Sequence, residues 1–175
     1  MPSVTLEPRM VTALDLAAGH PALTAAVRRA RAVLHRRALV AAAAGAVPVP
    51  GLDWAVDAAL LTRLIPRINA EFGLMPDQLD QLTPRERERV QKAVAMVGSV
   101  LIGKFITRDL VLKAAQAVGM RLTARQAARF VPVAGQVVAA VMGYTVIRFL
   151  GEEHLKDCVR VALKAELRLP APPSA

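Results

Sequence analysis

Aromatic side chains are scarce in this chain: four Phe, one Trp and one Tyr make up 3% of its 175 residues. That scarcity argues against single-stranded nucleic acid as a partner, because proteins that hold unpaired bases stack them on aromatic faces. Cysteine is nearly absent as well. Cys158 stands alone, so no intramolecular disulfide can form and no cysteine-rich zinc finger can be assembled. A reducing, cytoplasmic compartment is the expectation. Acidic residues number 14 against 23 Lys and Arg, leaving a formal charge of +9 concentrated in residues 1–40 and 85–129. The expected partners are therefore anionic, an acidic protein or phospholipid headgroups, with nucleic acid not expected. The first residues lack the basic start and unbroken apolar core of a secretory leader, since Glu7, Arg9 and Asp15 interrupt them.

What the chain has in quantity is small apolar side chains. Hydrophobic residues make up 54% and the mean hydropathy is +0.38, carried by Ala, Val and Leu. Helices built from such residues approach one another closely, and 175 residues suffice for one domain with a sizeable core. The pattern predicts an all-α fold, a compact multi-helix bundle with an amphipathic C-terminal helix. Residues 1–20 read as a loosely ordered N-terminal segment, 21–169 as a single helical domain, and 170–175 as a Pro-rich tail.

From Pro21 to about Ala46 the period is helical. Leu23, Val27, Ala30 and Leu34 share one side, while Arg28, Arg29, Arg31, His35 and Arg36 gather on the other. Pro48, Pro50 and Gly51 stop this helix, and Asp53 begins the next, where a carboxylate caps free amides and complements the helix dipole. That helix should run to Phe72-Gly73, bent at Pro66. Thr83, Pro84 and Glu86 make a capping-box start, and the helix they open should continue through "KAVAMVGSVLIGKF". A further piece ends at Gly119, and a second box, Thr123 with Gln126, opens a short helix bearing Arg121, Arg125 and Arg129. Pro132 and Gly135 then introduce an apolar helix to about Leu150. A separate last helix, Glu152–Leu169, carries Lys156, Arg160, Lys164 and Arg168 in one stripe.

Two stretches open alike: "VPVPG" from Val47 and "VPVAG" from Val131. Each reads as a buried corner leading into a helix, proline removing a donor that would otherwise need a partner. Small residues recur at every fourth position in two places, Gly135, Ala139 and Gly143 in one and Ala95, Ser99 and Gly103 in the other. Such lines let backbones pack closely.

These stretches resemble the YcjF-like domain of unknown function, whose members pair with or are fused to P-loop GTPases, and less closely the helical C-terminal regions of interferon-inducible immunity-related GTPases. The residues that carry the resemblance are Pro48, Pro50, Gly51, Asp53, Phe72, Gly73, Pro132, Gly135, Gly143, Tyr144 and Gly151, and it covers roughly residues 36–152. It implies a helical accessory domain at or near the cytoplasmic membrane, partnered with a nucleotide-hydrolysing protein, with no catalytic residue carried over. No GxxxxGK[ST] occurs in the chain, so a P-loop enzyme is not expected.

The residues with chemistry to offer are few. Asp53 and Asp57 lie one turn apart and suit either a shared metal or acid–base site or a helix cap with its dipole partner. His20, His35 and His154 are scattered and read as sharing no ligand spacing with Cys158, itself a small core residue beside Leu155 and Ala162. No Ser or Thr stands in a nucleophile-elbow setting. The expectation is no enzyme, no metal and no cofactor. The row Arg28, Arg29, Arg31 and Arg36 is either a membrane or partner face or an ordinary solvated surface.

The longest uncharged run, Phe130–Ile147, has 18 residues and contains Pro132, short of the roughly 20 helical residues a span requires. The leading expectation is a non-enzymatic helical interaction module at the cytoplasmic face of the inner membrane, peripheral or partly inserted, accessory to a P-loop GTPase. The alternatives are a membrane-inserting helical effector and an apolar-pocket binder of lipid or small molecules. A second copy of the chain is a further candidate partner.

Overall fold

The computed structural model describes residues 11–45, 52–99 and 132–170. Within them lie six helices: α1 (Ala13–Leu16), α2 (Pro21–Gly45), α3 (Leu52–Glu71), α4 (Pro76–Asp80), α5 (Pro84–Val97) and α6 (Pro132–Ala165). No strand occurs among the described residues, and the fold is the all-α bundle that the sequence predicts. The long helix α6 is its axis, packed against α2, α5, α1 and α3, while α2 also packs on α3.

The core follows the helical period. Leu23, Val27, Ala30, Leu34 and Ala38 of α2 meet Leu64, Ile68 and Phe72 of α3 and Ile147, Leu155, Val159 and Ala162 of α6, all buried. The α2–α6 pair is antiparallel, since Ala41 abuts Gly143 and Leu34 abuts Gly151. A Cβ on Gly143 would stand 3.4 Å from the Ala41 carbonyl oxygen. Close backbone approach is therefore real at this member of the predicted small-residue line. Gly135 falls in the first turns of α6, and Ala139 one turn further along.

The second predicted line, Ala95, Ser99 and Gly103, is not a helical ridge. Helix α5 stops at Val97, where Gly98 takes a left-handed conformation (φ 73°) and donates to the Val94 carbonyl. Ala95 is exposed, and Ser99 lies beyond the helix end. Glycine read as a helical spacer is here a terminator, the role its freedom at positive φ favours. Gly103 lies outside the described residues.

Gly151 shows the opposite misreading. It was expected to separate two helices, yet α6 passes through it unbroken from Pro132 to Ala165. It is glycine because the Leu34 side chain occupies the place of its Cβ. The helix ends at Ala165 rather than Leu169. Glu166 (φ 52°) closes it, with Glu166 N–H donating to Leu163 and Leu167 N–H to Ala162, the paired bonds of a Schellman turn.

Residues 11–20, expected to be loosely ordered, contain α1. A capping box between Thr12 and Asp15 opens it, and Ala13 and Ala17 are buried. Helix α4 was not expected; Pro76 occupies its first turn and Gln78 Oε1 accepts from the Met75 amide at 3.1 Å. Two terminators agree with the sequence. The Thr83–Glu86 box opens α5, and Gly73 (φ 70°) ends α3 with Leu74 N–H donating to the Asn69 carbonyl at 2.9 Å. Helix α3 continues through Pro66 as one element.

Candidate functional site

The 3.6-residue period stacks His154 and Cys158 on one face of α6, one turn apart. Across from them α3 presents Asn69, in its last turn before Gly73. His154 Nε2 and Asn69 Oδ1 are 2.8 Å apart, and Cys158 Sγ lies 3.6 Å from each of them. All three residues are buried. The sequence reading missed this cluster by treating His154 and Cys158 as unrelated; their four-residue separation was the available signal. Asn69, 85 residues from His154, carried none.

The chemistry of the triad follows from atom roles. Asn69 Oδ1 can only accept, so Nε2 of His154 carries the hydrogen and the Cys158 thiol donates to the same oxygen. The nitrogen facing the thiol is therefore protonated and unable to take its proton. Burial pushes the His154 pKa down to about 4. Burial, reinforced by the neighbouring Asp157 carboxylate, pushes the Cys158 thiol well up. A neutral imidazole and an undissociated thiol make no activated nucleophile. The triad ties α3 to α6 through a satisfied buried polar network.

The arginine row of α2 divides. Arg29 Nε donates to Glu71 of α3 at 2.6 Å, and Arg31 grips Glu152 of α6 with two nitrogens, Nε to Oε2 at 3.0 Å. Glu152 also accepts from the Ala13 amide at 2.9 Å, so one carboxylate joins α1, α2 and α6. Burial would raise its pKa, but the Arg31 and Ala13 hydrogen bonds with the charges of Arg31 and Arg148 outweigh this and hold it low. Arg29 and Arg31 thus serve the bundle itself. Arg28 and Arg36 are exposed, and no ion pair engages either among the described residues.

Beside this row, Tyr144 Oη is 3.2 Å from His35 Nδ1, with the rings edge to face and Arg148 over the Tyr144 ring at 5.9 Å. Of the C-terminal stripe, Arg160, Lys164 and Arg168 are exposed, whereas the Lys156 side chain is only 12% exposed and pairs with Glu153; Arg160 pairs with Asp157. Of the corner residues, Pro132 is the first residue of α6 and Asp53 lies in the first turn of α3. Pro48, Pro50 and Gly51 lie outside the described residues. The described residues hold no cluster of three or more His, Cys, Asp and Glu suited to a metal. No described helix is long and apolar enough to cross a membrane.

One near-motif escaped the sequence reading. Gly98 to Lys104 spells GxxxxGK, but Phe105 replaces the hydroxyl residue that would reach a nucleotide-bound magnesium. The stretch follows helix α5 where a P-loop follows a strand.

Comparison with known proteins finds similarity to interferon-inducible GTPases. Interferon-inducible GTPase 5 of Rattus norvegicus is 31% identical over 136 residues, covering 74% of this chain and 29% of that protein. The Bos taurus protein of the same name is 30% identical over the same length and shares. No family model matches, so the YcjF-like resemblance stands on its quoted residues alone. No solved structure matches either. The chain spans less than a third of the curated relatives it matches, and over most of its own length it is similar to a GTPase-type protein.

Proposed function

We propose that this chain is a helical interaction module, accessory to a GTPase-type protein at the cytoplasmic face of a membrane, with no catalytic group of its own. The observation that carries the reading is the similarity to interferon-inducible GTPase 5 across 74% of the chain in a sequence with no complete GxxxxGK[ST]. A segment related to a nucleotide-hydrolysing protein but lacking the phosphate-binding loop fits regulation or anchoring better than hydrolysis. The buried triad supports the same reading, because its thiol and imidazole are held in unreactive forms. A depression of about 400 Å³ along Gly19, Pro21, Thr24 and Arg28 is open to solvent, a shape that suits surface recognition better than enclosure of a lipid.

The test is capture of the tagged full chain from native membranes with GDP or a non-hydrolysable GTP analogue, followed by mass spectrometry. Recovery of a P-loop nucleotide-binding protein in a nucleotide-sensitive ratio is the expected result. Absence of any such partner, or GTP hydrolysis by the purified chain alone, overturns the proposal. Carbonate washing should release the chain from membranes; extraction by detergent only would make it an inserted effector instead.

A further inference from the structure

The Arg29–Glu71 pair fixes how α2 and α3 lie side by side. A connection of only six residues joins the end of α2 to the start of α3, and Arg29 early in α2 meets Glu71 at the end of α3. The two helices are therefore antiparallel. Arg36 lies two turns beyond Arg29 on the same side of α2, about 10 Å along the axis at 1.5 Å per residue. Arg67 and Arg63 lie one and two turns from Glu71 on α3, about 6 and 12 Å along in the same direction. Arg36 is thus level with the two α3 arginines. Arg67 borders the seam between the helices, and Arg63 turns toward the outer crest of α3.

All three are exposed, and none has an ion-pair partner among the described residues. Helix α2 contains no acidic residue, and α2 and α3 together carry seven Arg and no Lys. Val40, one turn past Arg36 on the α3 side, is 50% exposed, and Leu39 beside it is 51% exposed. The seam therefore combines unpaired guanidinium groups on both walls with an apolar end.

We infer that this α2–α3 seam is a docking surface for an acidic helix of a protein partner, its carboxylates on successive turns forked by Arg36, Arg67 and Arg63. Charge complementarity supplies the main argument, and the chain itself supplies a precedent. At Arg29 the same seam already holds a carboxylate, that of Glu71. A guanidinium presents a planar fork that matches a carboxylate with two parallel hydrogen bonds. The one-turn separation of Arg67 and Arg63 matches glutamates at i and i+4 on a facing helix. A groove between two antiparallel helices receives a third helix, its apolar side chains meeting Val40 and Leu39, where a bilayer would require a planar face. The inference deepens the proposed interaction role by naming the partner's chemistry.

The probe is a short fluorescein-labelled helical peptide with glutamates at i, i+4 and i+7 and leucines on its other face, measured by fluorescence anisotropy against the full chain. Binding should weaken with salt and fall about tenfold in R36Q/R63Q/R67Q. The control R160Q/K164Q, with two cations removed from α6, should bind as the wild type does. The charge-reversed variant R36E/R67E should prefer the same peptide with lysine in place of glutamate. Equal losses in the triple variant and the control would mean a diffuse charge effect and would overturn the assignment. So would phosphatidylserine vesicles binding through these arginines while the peptide does not bind. Capture of a nucleotide-binding partner is scored separately: a partner retained by the triple variant removes this face but leaves the interaction role, whereas peptide binding without such a partner does the reverse.

Discussion

Leu34 of α2 fills the space that a Cβ on Gly151 of α6 would occupy. Its Cγ would be 3.0 Å and its Cδ2 2.8 Å from that Cβ, with Cδ1 closer still, and Leu34 is fully buried. Rotation of the leucine methyls leaves Cγ in the way, so to admit even alanine Leu34 must take another χ1 rotamer within a packed core or the helices must separate. Helix propensity favours Gly151→Ala by up to about 1 kcal/mol, whereas overpacking costs about 1–3 kcal/mol. Packing should win, and urea unfolding should show Gly151→Ala less stable by about 1–2 kcal/mol. Leu34→Ala alone should cost about 2–5 kcal/mol. The double variant should be more stable than the sum of the two losses predicts, because each change makes room for the other.

His154 should make the fold acid-sensitive before its carboxylates titrate. Its folded pKa is about 4 against an ordinary 6.5, so the native state favours the neutral ring. Above pH 6.5 neither state is protonated and the group has no effect. As pH falls from 6.5 toward 4, the unfolded chain takes up a proton that the native chain refuses. Stability then drops by up to about 3 kcal/mol across that window. Urea midpoints measured from pH 7.5 to 4.5 should fall steeply in the wild type. In His154→Gln, which keeps an amide donor for Asn69, the profile should be flatter over the same interval.

The helices were legible in the sequence wherever periodicity and local capping chemistry agreed, as at Thr83–Glu86 and Gly73. What was not legible depended on distant neighbours. Gly98 and Gly151 each follow two apolar residues, Met96-Val97 and Phe149-Leu150, yet one ends a helix and the other admits a leucine from α2. Composition near each glycine does not distinguish these roles, because the deciding atom lies in another helix. The arginine row was correctly placed on the polar side of α2. Its division into Arg29 and Arg31, tied to Glu71 and Glu152, and the exposed Arg28 and Arg36 required knowing which helices flank α2. The His154–Cys158 spacing was visible, but Asn69, which gives it meaning, comes from α3.

Glu152 holds α1 in place. It accepts from the Ala13 amide and from Arg31, so Glu152→Ala removes a link among three helices and leaves a half-buried guanidinium without its partner. A loss of about 2 kcal/mol is expected. Hydrogen exchange should localise the effect, with the Ala13 amide losing protection while amides in the middle of α6 keep theirs. Because the carboxyl pKa is held low, this contribution is present above the ordinary carboxylate range and is lost as pH falls through the folded value. Wild type and Glu152→Ala should therefore converge in stability at strongly acid pH.

Glu166 ends α6 in a conformation that costs a residue with a Cβ about 1 kcal/mol, at φ 52°. Among the described residues its side chain is engaged by an ion pair with Arg89 at 3.1 Å, in which the glutamate side chain is 80% exposed; pairs this exposed contribute little. Glycine removes the steric penalty and keeps both Schellman hydrogen bonds, which use backbone atoms alone. Glu166→Gly should therefore stabilise the chain by about 0.5–1 kcal/mol, despite glycine's greater freedom when unfolded. Glu166→Ala makes the decisive comparison, since it deletes the same carboxylate but keeps the Cβ. If strain dominates, thermal unfolding should place Glu166→Gly above the wild type and Glu166→Ala at or below it; if the Arg89 pair dominates, both variants fall together.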